Sequence, residues 1–124
     1  MVRMVSFLPL AVTSAGTQYG LMRFIDSTSF TADRAWGAHD LAVIDGASIR
    51  LHWTDSPYVW HVNDAMEVFA VVDGVVDMHY RVDGEEQVEE LVPGRICVAG
   101  IGDEHVAVPR GEARILVIER AGSI

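Results

Sequence analysis

The chain has 124 residues, which is one domain by length and enough for a core without metal or disulfide staples. Half of the residues are apolar and mean hydropathy is +0.23, which argues against a disordered chain. Eighteen acids stand against nine bases, all arginine, for a formal charge of −9. An acidic surface repels phosphate backbones and no basic run offsets it, so nucleic acid is not expected as a partner. Cys97 is the only cysteine, so no intrachain disulfide can form, and a reducing, cytoplasmic setting is the expectation.

Residues 1–12 read M-V-R-M-V-S-F-L-P-L-A-V, one arginine followed by an apolar run. Ser6 and Pro9 interrupt that run, and it is far too short to cross a bilayer, so no membrane partner is expected. The segment suits two roles. It can be an extra strand, paired with a sheet edge or with a second subunit, or a leader ahead of a domain that starts near Met22-Arg23-Phe24-Ile25-Asp26. The extra strand is the expectation. Residues 18–40 are weakly patterned: Ser27, Thr28, Ser29 and Thr31 mark a loop, and Thr31 to Trp36 reads as a helical turn capped by Thr31.

From Leu41 the chain reads as strands. Ala47 to Thr54 alternates, with Ile49, Leu51 and Trp53 on one face and Arg50 and His52 on the other. Tyr58 to Asn63 forms a second strand and Glu67 to Val72 a nearly continuous apolar one. Asp73-Gly74 is a hairpin signal into Val75 to Val82, where Val76, Met78, Tyr80 and Val82 share a face. Asp83-Gly84 turns into the acidic run Glu85 to Glu90, which suits a solvated sheet edge. Pro93-Gly94, Gly100-Ile101-Gly102 and Pro109-Arg110-Gly111 then punctuate three further strands, Arg95 to Ala99, Glu104 to Val108 and Ala113 to Glu119. No helical period follows residue 41, and short strands at close spacing predict an all-β sandwich or barrel.

Two stretches carry chemistry. In Trp60 to Gly74, His61 and Asn63 are two apart on a strand and point to one face. Glu67 opens the next strand after a short turn that can fold it back toward His61. An inward carboxylate ahead of an apolar strand needs a partner or a metal. Gly94 to Pro109 delivers His105, which only the fold can bring to the others. Two imidazoles, one carboxylate and one amide oxygen suit a divalent ion (Zn, Fe, Mn, Ni or Co) and leave positions open for a ligand. The ion would keep residual positive charge and favour an anionic or enediol-like molecule. The alternative for each histidine is a hydrogen-bonded structural role, and for Glu67 a solvated strand start.

On these two stretches the sequence resembles the cupin superfamily. The first cupin motif is G-x5-H-x-H-x3,4-E-x6-G; here His61-x-Asn63-x3-Glu67-x6-Gly74 matches, with Asn63 where the second histidine stands and Asp55 in place of the leading glycine. The second is G-x5-P-x-G-x2-H-x3-N; Gly94, Gly102 and His105 match, with Gly100 for the proline and Pro109 for the asparagine. The resemblance covers roughly residues 41–119 and implies a jelly-roll barrel (double-stranded β-helix) with a ligand site inside one end. It implies residues 41–124 as the barrel and residues 1–40 as an N-terminal extension suited to dimer formation. Many such chains are loosely called mannose-6-phosphate-isomerase-like, but cupins include isomerases, epimerases, dioxygenases, decarboxylases, sugar-binding regulators and storage proteins, so the fold does not choose a reaction.

The expected metal ligands are therefore His61, Asn63, Glu67 and His105, acting on a small anionic or sugar-like molecule. A non-catalytic ligand-binding protein with a weakened or lost metal site is the alternative, and Asn63, a neutral and weaker ligand than imidazole, favours it. If the face of Arg50 and His52 lines the pocket, His52 serves as general acid or base and Arg50 as an anion clamp; if it faces solvent, both are surface residues. His79 is expected outside the core, His39 in a loop, Cys97 as a small buried hydrophobe, and Tyr58, Trp60 and Phe69 as core aromatics. A homodimer is expected from the apolar N-terminal segment, which a small barrel has little room to bury.

Overall fold

The structure, a computed structural model, describes residues 11–12, 18–19 and 22–123. Its strands are β1 (Ala11–Val12), β2 (Gln18–Tyr19), β3 (Gly37–Ile44), β4 (Ala47–Thr54), β5 (His61–Val62), β6 (Glu67–Asp73), β7 (Val76–Val82), β8 (Glu85–Leu91), β9 (Ile96–Ala99), β10 (Glu104–Pro109) and β11 (Ala113–Arg120). A single 3-10 turn, Ser27–Ser29, is the only helical element among the described residues. All pairing is antiparallel, in a five-stranded sheet of order β3-β4-β11-β6-β9 and a four-stranded sheet of order β5-β10-β7-β8. The two sheets close on a shared core: Phe69, Val71, Ala113, Ile115 and Val117 from the first meet Val76, Met78, Leu91 and Ala107 from the second. The strand and turn spacing implied an all-β sandwich or barrel, and the two packed antiparallel sheets are the jelly roll that the cupin resemblance implied.

Alternation explains which residues meet. Residues directly opposite across a ladder share a face. Glu119 lies opposite both Ser48 and Glu67, Val117 opposite Arg50 and Phe69, and Ile115 opposite His52 and Val71. Arg50, His52, Glu67, Phe69, Val117 and Glu119 therefore all point inward, while Ile49, Leu51 and Trp53 occupy the outer face, with Leu51 fully covered.

Several local expectations change. Asp73-Gly74 is not a hairpin: β6 pairs with β11 and β9 while β7 pairs with β10 and β8, so this turn carries the chain between sheets. Gly74 is required there, because its φ is +85° and a Cβ would sit 2.4 Å from the carbonyl oxygen of Glu112. The two-residue hairpins are Asp83-Gly84, between β7 and β8, and Asp45-Gly46, between β3 and β4, and all four residues have positive φ. The tight β3–β4 hairpin shows that the strands of the two large sheets begin at Gly37 rather than Leu41, and His39 lies in β3 against Phe30 rather than in a loop. Thr31 to Trp36 forms no helix; six residues without an apolar stripe cannot offset the cost of nucleation, and the segment bends and turns instead. The strand expected from Tyr58 shrinks to His61–Val62. At the N-terminus, Ala11–Val12 pairs with Gln18–Tyr19 in a ribbon separate from both large sheets, and the rest of residues 1–10 lies outside the described residues.

A candidate metal centre at one end of a bipolar cavity

The fold places His61 and His105 side by side on the four-stranded sheet, directly opposite each other in the β5–β10 ladder. Glu67 comes from the facing sheet, at the start of β6, so it reaches across the barrel rather than folding back through a hairpin. Asn63, just past β5, is held by its backbone: its N–H donates to Asp103 C=O and its C=O accepts from Gly102 N–H. Gly102 has φ +88° and Gly94 φ +95°, so the glycines of the second stretch serve turns that deliver β10.

The nitrogen and oxygen atoms that His61, Glu67 and His105 can offer a metal lie within 4.8 Å of one another. His105 Nε2 donates a hydrogen bond to Asn63 Oδ1 at 2.8 Å and lies 3.6 Å from Glu67 Oε1; a bound metal would take the place of that proton. Donors bound at ordinary metal–ligand lengths around one ion sit about 2.8–3.6 Å apart when adjacent, so these separations suit a shared ion. Glu67 Oε1 is buried and has no hydrogen-bond partner, an acceptor aimed into the cluster. His61 donates from Nδ1 to the Val59 carbonyl at 3.0 Å, which leaves its Nε2 lone pair free. His105 Nδ1, in contrast, has no partner, so this second imidazole lacks the usual orienting bond.

Electrostatics sharpen the picture. Burial lowers the pKa of His105 to about 4, and the neighbouring His61 adds to the effect, so the imidazole is neutral at pH 7 as a ligand must be. Burial pushes the Glu67 carboxyl up to about 8, helped by a hydrogen bond to the Glu119 carboxyl across the ladder. Glu67 is thus protonated at neutral pH until a cation displaces the proton.

The cluster opens into a cavity of about 260 Å³. Its walls include Trp36, Tyr58 and Phe69, and its polar lining includes Arg34, Arg50, His52, Glu119 and Ser123. Aromatic contacts trace one wall: His105 to His61 at 4.3 Å between ring centroids, His61 to Tyr58 at 5.4 Å, Tyr58 to Trp36 at 5.4 Å and Trp36 to His52 at 6.0 Å. The cavity therefore has a metal-type end and, beyond its aromatic wall, a second polar end. His52 donates from Nδ1 to the Trp36 carbonyl, which leaves Nε2 as an acceptor, and burial lowers its pKa so that it is neutral. Arg50 lines the cavity too, with its Nε on Asp40 at 2.6 Å.

Every residue singled out in the sequence is placed. His61, Asn63, Glu67 and His105 come together, and Arg50 and His52 point into the same cavity. His79 pairs with Glu86 outside the core, and Cys97 is half-buried against the core, with burial raising its pKa. Of the three expected core aromatics only Phe69 is buried: Trp60 is 37% exposed and carries the Arg81 guanidinium on its ring face, and Tyr58 is 39% exposed on the cavity wall. Sequence reading missed Trp36, Arg34, Ser123 and Glu119. Only Glu119 had a signal, since the alternation Ala113, Ile115, Val117 carries it to the inward face.

No family model matches the chain, and no curated protein matches it. Solved structures do. A cupin-2 domain protein from Shewanella frigidimarina is 28% identical over 72% of this chain and 84% of its own, with a TM-score of 0.64. A cupin superfamily protein from Desulfitobacterium hafniense is 15% identical over 77% of this chain and 86% of its own, with a TM-score of 0.64. A hydroquinone 1,2-dioxygenase from a Sphingomonas species, solved with 4-hydroxybenzoate bound, is 18% identical over 73% of this chain but 29% of its own, with a TM-score of 0.65. The chain has the fold of the cupin superfamily. Within that fold, His61, Glu67 and His105 form a cluster able to hold a metal ion. Among the described residues, no helix is long and apolar enough to cross a membrane.

Proposed function

We propose that this protein binds a divalent metal ion through His61, Glu67 and His105, with Asn63 Oδ1 as a fourth donor, and acts on a small anionic or sugar-like molecule in the adjoining cavity. The single observation that carries this is the meeting of three metal-type side chains from two facing sheets, with a buried, unpartnered carboxylate oxygen among them. When bound, the ion supplies Lewis acidity toward a carbonyl or hydroxyl oxygen, and a redox metal extends that to dioxygen chemistry. The donor set fits Zn, Fe, Mn, Ni or Co. The dioxygenase among the structural neighbours is compatible with the redox case.

The chain's own residues supply the rest. His52, neutral and with Nε2 free, is placed to take or return a proton inside the cavity. Arg50 adds positive potential on the same wall. Trp36, Tyr58 and Phe69 hold the body of the ligand and exclude water. The second function, a ligand-binding cupin with a weakened metal site, is favoured by Asn63 standing where the motif has histidine and by the unpartnered Nδ1 of His105.

Elemental analysis of protein made without a histidine tag decides between them. Stoichiometric metal that disappears in His105→Ala supports the metal-dependent reading. No metal under any loading condition leaves the binding protein. We also propose a cytoplasmic homodimer, supported by the apolar N-terminal segment and the lone Cys97; a monomeric mass at micromolar concentration would count against the dimer.

A further inference from the structure

The polar end of the cavity is built around a corner of the chain. Trp36 has φ +61°, a left-handed conformation that is costly for a bulky residue and points to a functional constraint. Three bonds hold it there: its indole Nε1 donates to Ser56 C=O, its own carbonyl accepts from His52 Nδ1, and Gly37 N–H donates to Arg34 C=O. Gly37 has no room for a side chain, since a Cβ would lie 2.5 Å from that of Ala32. This corner sets Arg34 at the cavity rim, two residues from the Trp36 ring that forms its wall.

Arg34 stands apart electrostatically. Every other described arginine makes at least one side-chain hydrogen bond: Arg23 to a backbone carbonyl, and Arg50, Arg81, Arg95, Arg110, Arg114 and Arg120 to carboxylates. Among the described residues, Arg34 makes none. Among the described residues only Arg23 and Arg34 lack a carboxylate partner, and of these two only Arg34 lines the cavity. Arg50, the other cavity arginine, already spends its Nε on Asp40. His52, being neutral, adds no charge but presents a polar edge.

We propose that the ligand is a small planar carboxylate, its flat body against Trp36, Tyr58 and Phe69 and its carboxylate on Arg34. The inference rests on the reading of this cavity as the ligand site, but not on the metal. A volume of about 260 Å³ lies below the usual range for drug-sized ligands, so it suits a single ring. A planar guanidinium pairs with a carboxylate through two parallel bonds, which a neutral amide cannot reproduce. The aromatic wall favours a ring that stacks edge or face over one that is puckered.

Calorimetric titration with benzoate, benzamide and cyclohexanecarboxylate tests this, on chelator-treated protein and on metal-loaded protein. Benzoate is expected to bind about tenfold or more tighter than benzamide, as a charge-assisted bond predicts. It should also bind more tightly than cyclohexanecarboxylate. Arg34→Gln should abolish the preference over benzamide while leaving metal content and benzamide affinity unchanged. Arg34 is exposed, so the variant should fold, and an unaltered thermal midpoint checks it. Equal affinity for acid and amide, or a preference that survives in Arg34→Gln, overturns the anchor. Equal affinity for the saturated ring overturns the planar ligand. Failure of the metal reading shows separately, as protein without metal that still selects benzoate.

Discussion

His61 and His105 face each other across the β5–β10 ladder with ring centroids 4.3 Å apart. A β5 of only two residues makes this possible, because the short pairing sets one imidazole against the other and then releases the chain to bring Asn63 in behind. Removing either imidazole leaves too few strong donors. His61→Ala and His105→Ala are each expected to lower metal occupancy at least about tenfold, measured by elemental analysis after dialysis.

Asn63 Oδ1 approaches His105 Nε2 at 2.8 Å, so its side chain faces the same point as the imidazoles. Replacing a neutral amide by imidazole strengthens the donor set. Asn63→His is expected to tighten metal binding about tenfold in a chelator competition. Unchanged or weaker binding would place residue 63 outside the coordination shell.

The stability of the metal-free protein should change little up to about pH 6.5 and fall above it. Glu67 has a folded pKa raised to about 8 from 4.5, so between these values the folded state holds a proton that the unfolded chain releases, and stability falls as pH rises. His105 has a folded pKa lowered to about 4 from 6.5, so over that interval the unfolded chain holds the extra proton and stability climbs with pH. His52 is lowered too and acts in the same direction as His105. The opposing slopes offset each other up to pH 6.5; above it Glu67 alone remains, with a decline of at most about 1.4 kcal/mol per pH unit. Urea denaturation from pH 5 to 8.5 measures this. Glu67→Gln should remove the decline above pH 6.5.

Two glycines separate conformational cost from collision. Gly84 has φ +80° and nothing within 4 Å of an added Cβ, so Gly84→Ala should cost about 1–2 kcal/mol. Gly74 has φ +85° and also meets the Glu112 carbonyl at 2.4 Å, so Gly74→Ala should cost about 3 kcal/mol or more. Equal losses in a denaturant titration would mean that the crossover between sheets yields to the added methyl.

Local spacing made most of the strands and four of the cluster residues legible. Alternation located Ala47 to Thr54 to the residue, and the two spaced stretches selected His61, Asn63, Glu67 and His105. What local pattern could not give was partnership. Asp73-Gly74 carries the same residue pair as a hairpin turn, yet its flanking strands belong to different sheets, and only long-range packing decides that. The same limit hid the route of Glu67 across the barrel. Trp36 and Arg34 were invisible for another reason: they sit on a strained corner held by Ser56 and His52, with no periodicity of their own. Whether Arg50 and His52 faced in or out hung on which side of β4 was covered, and the ladder with β11 answers it.

Strand β8 ends the four-stranded sheet with Glu85, Glu86, Glu89 and Glu90 along it, and all four are exposed. Two copies of the protein that approached through this margin would bring like charges together, which discourages runaway stacking into fibrils at neutral pH. The protection should fade as the solution nears the isoelectric point of about 4.8, and mildly acidic storage is where turbidity would first be seen.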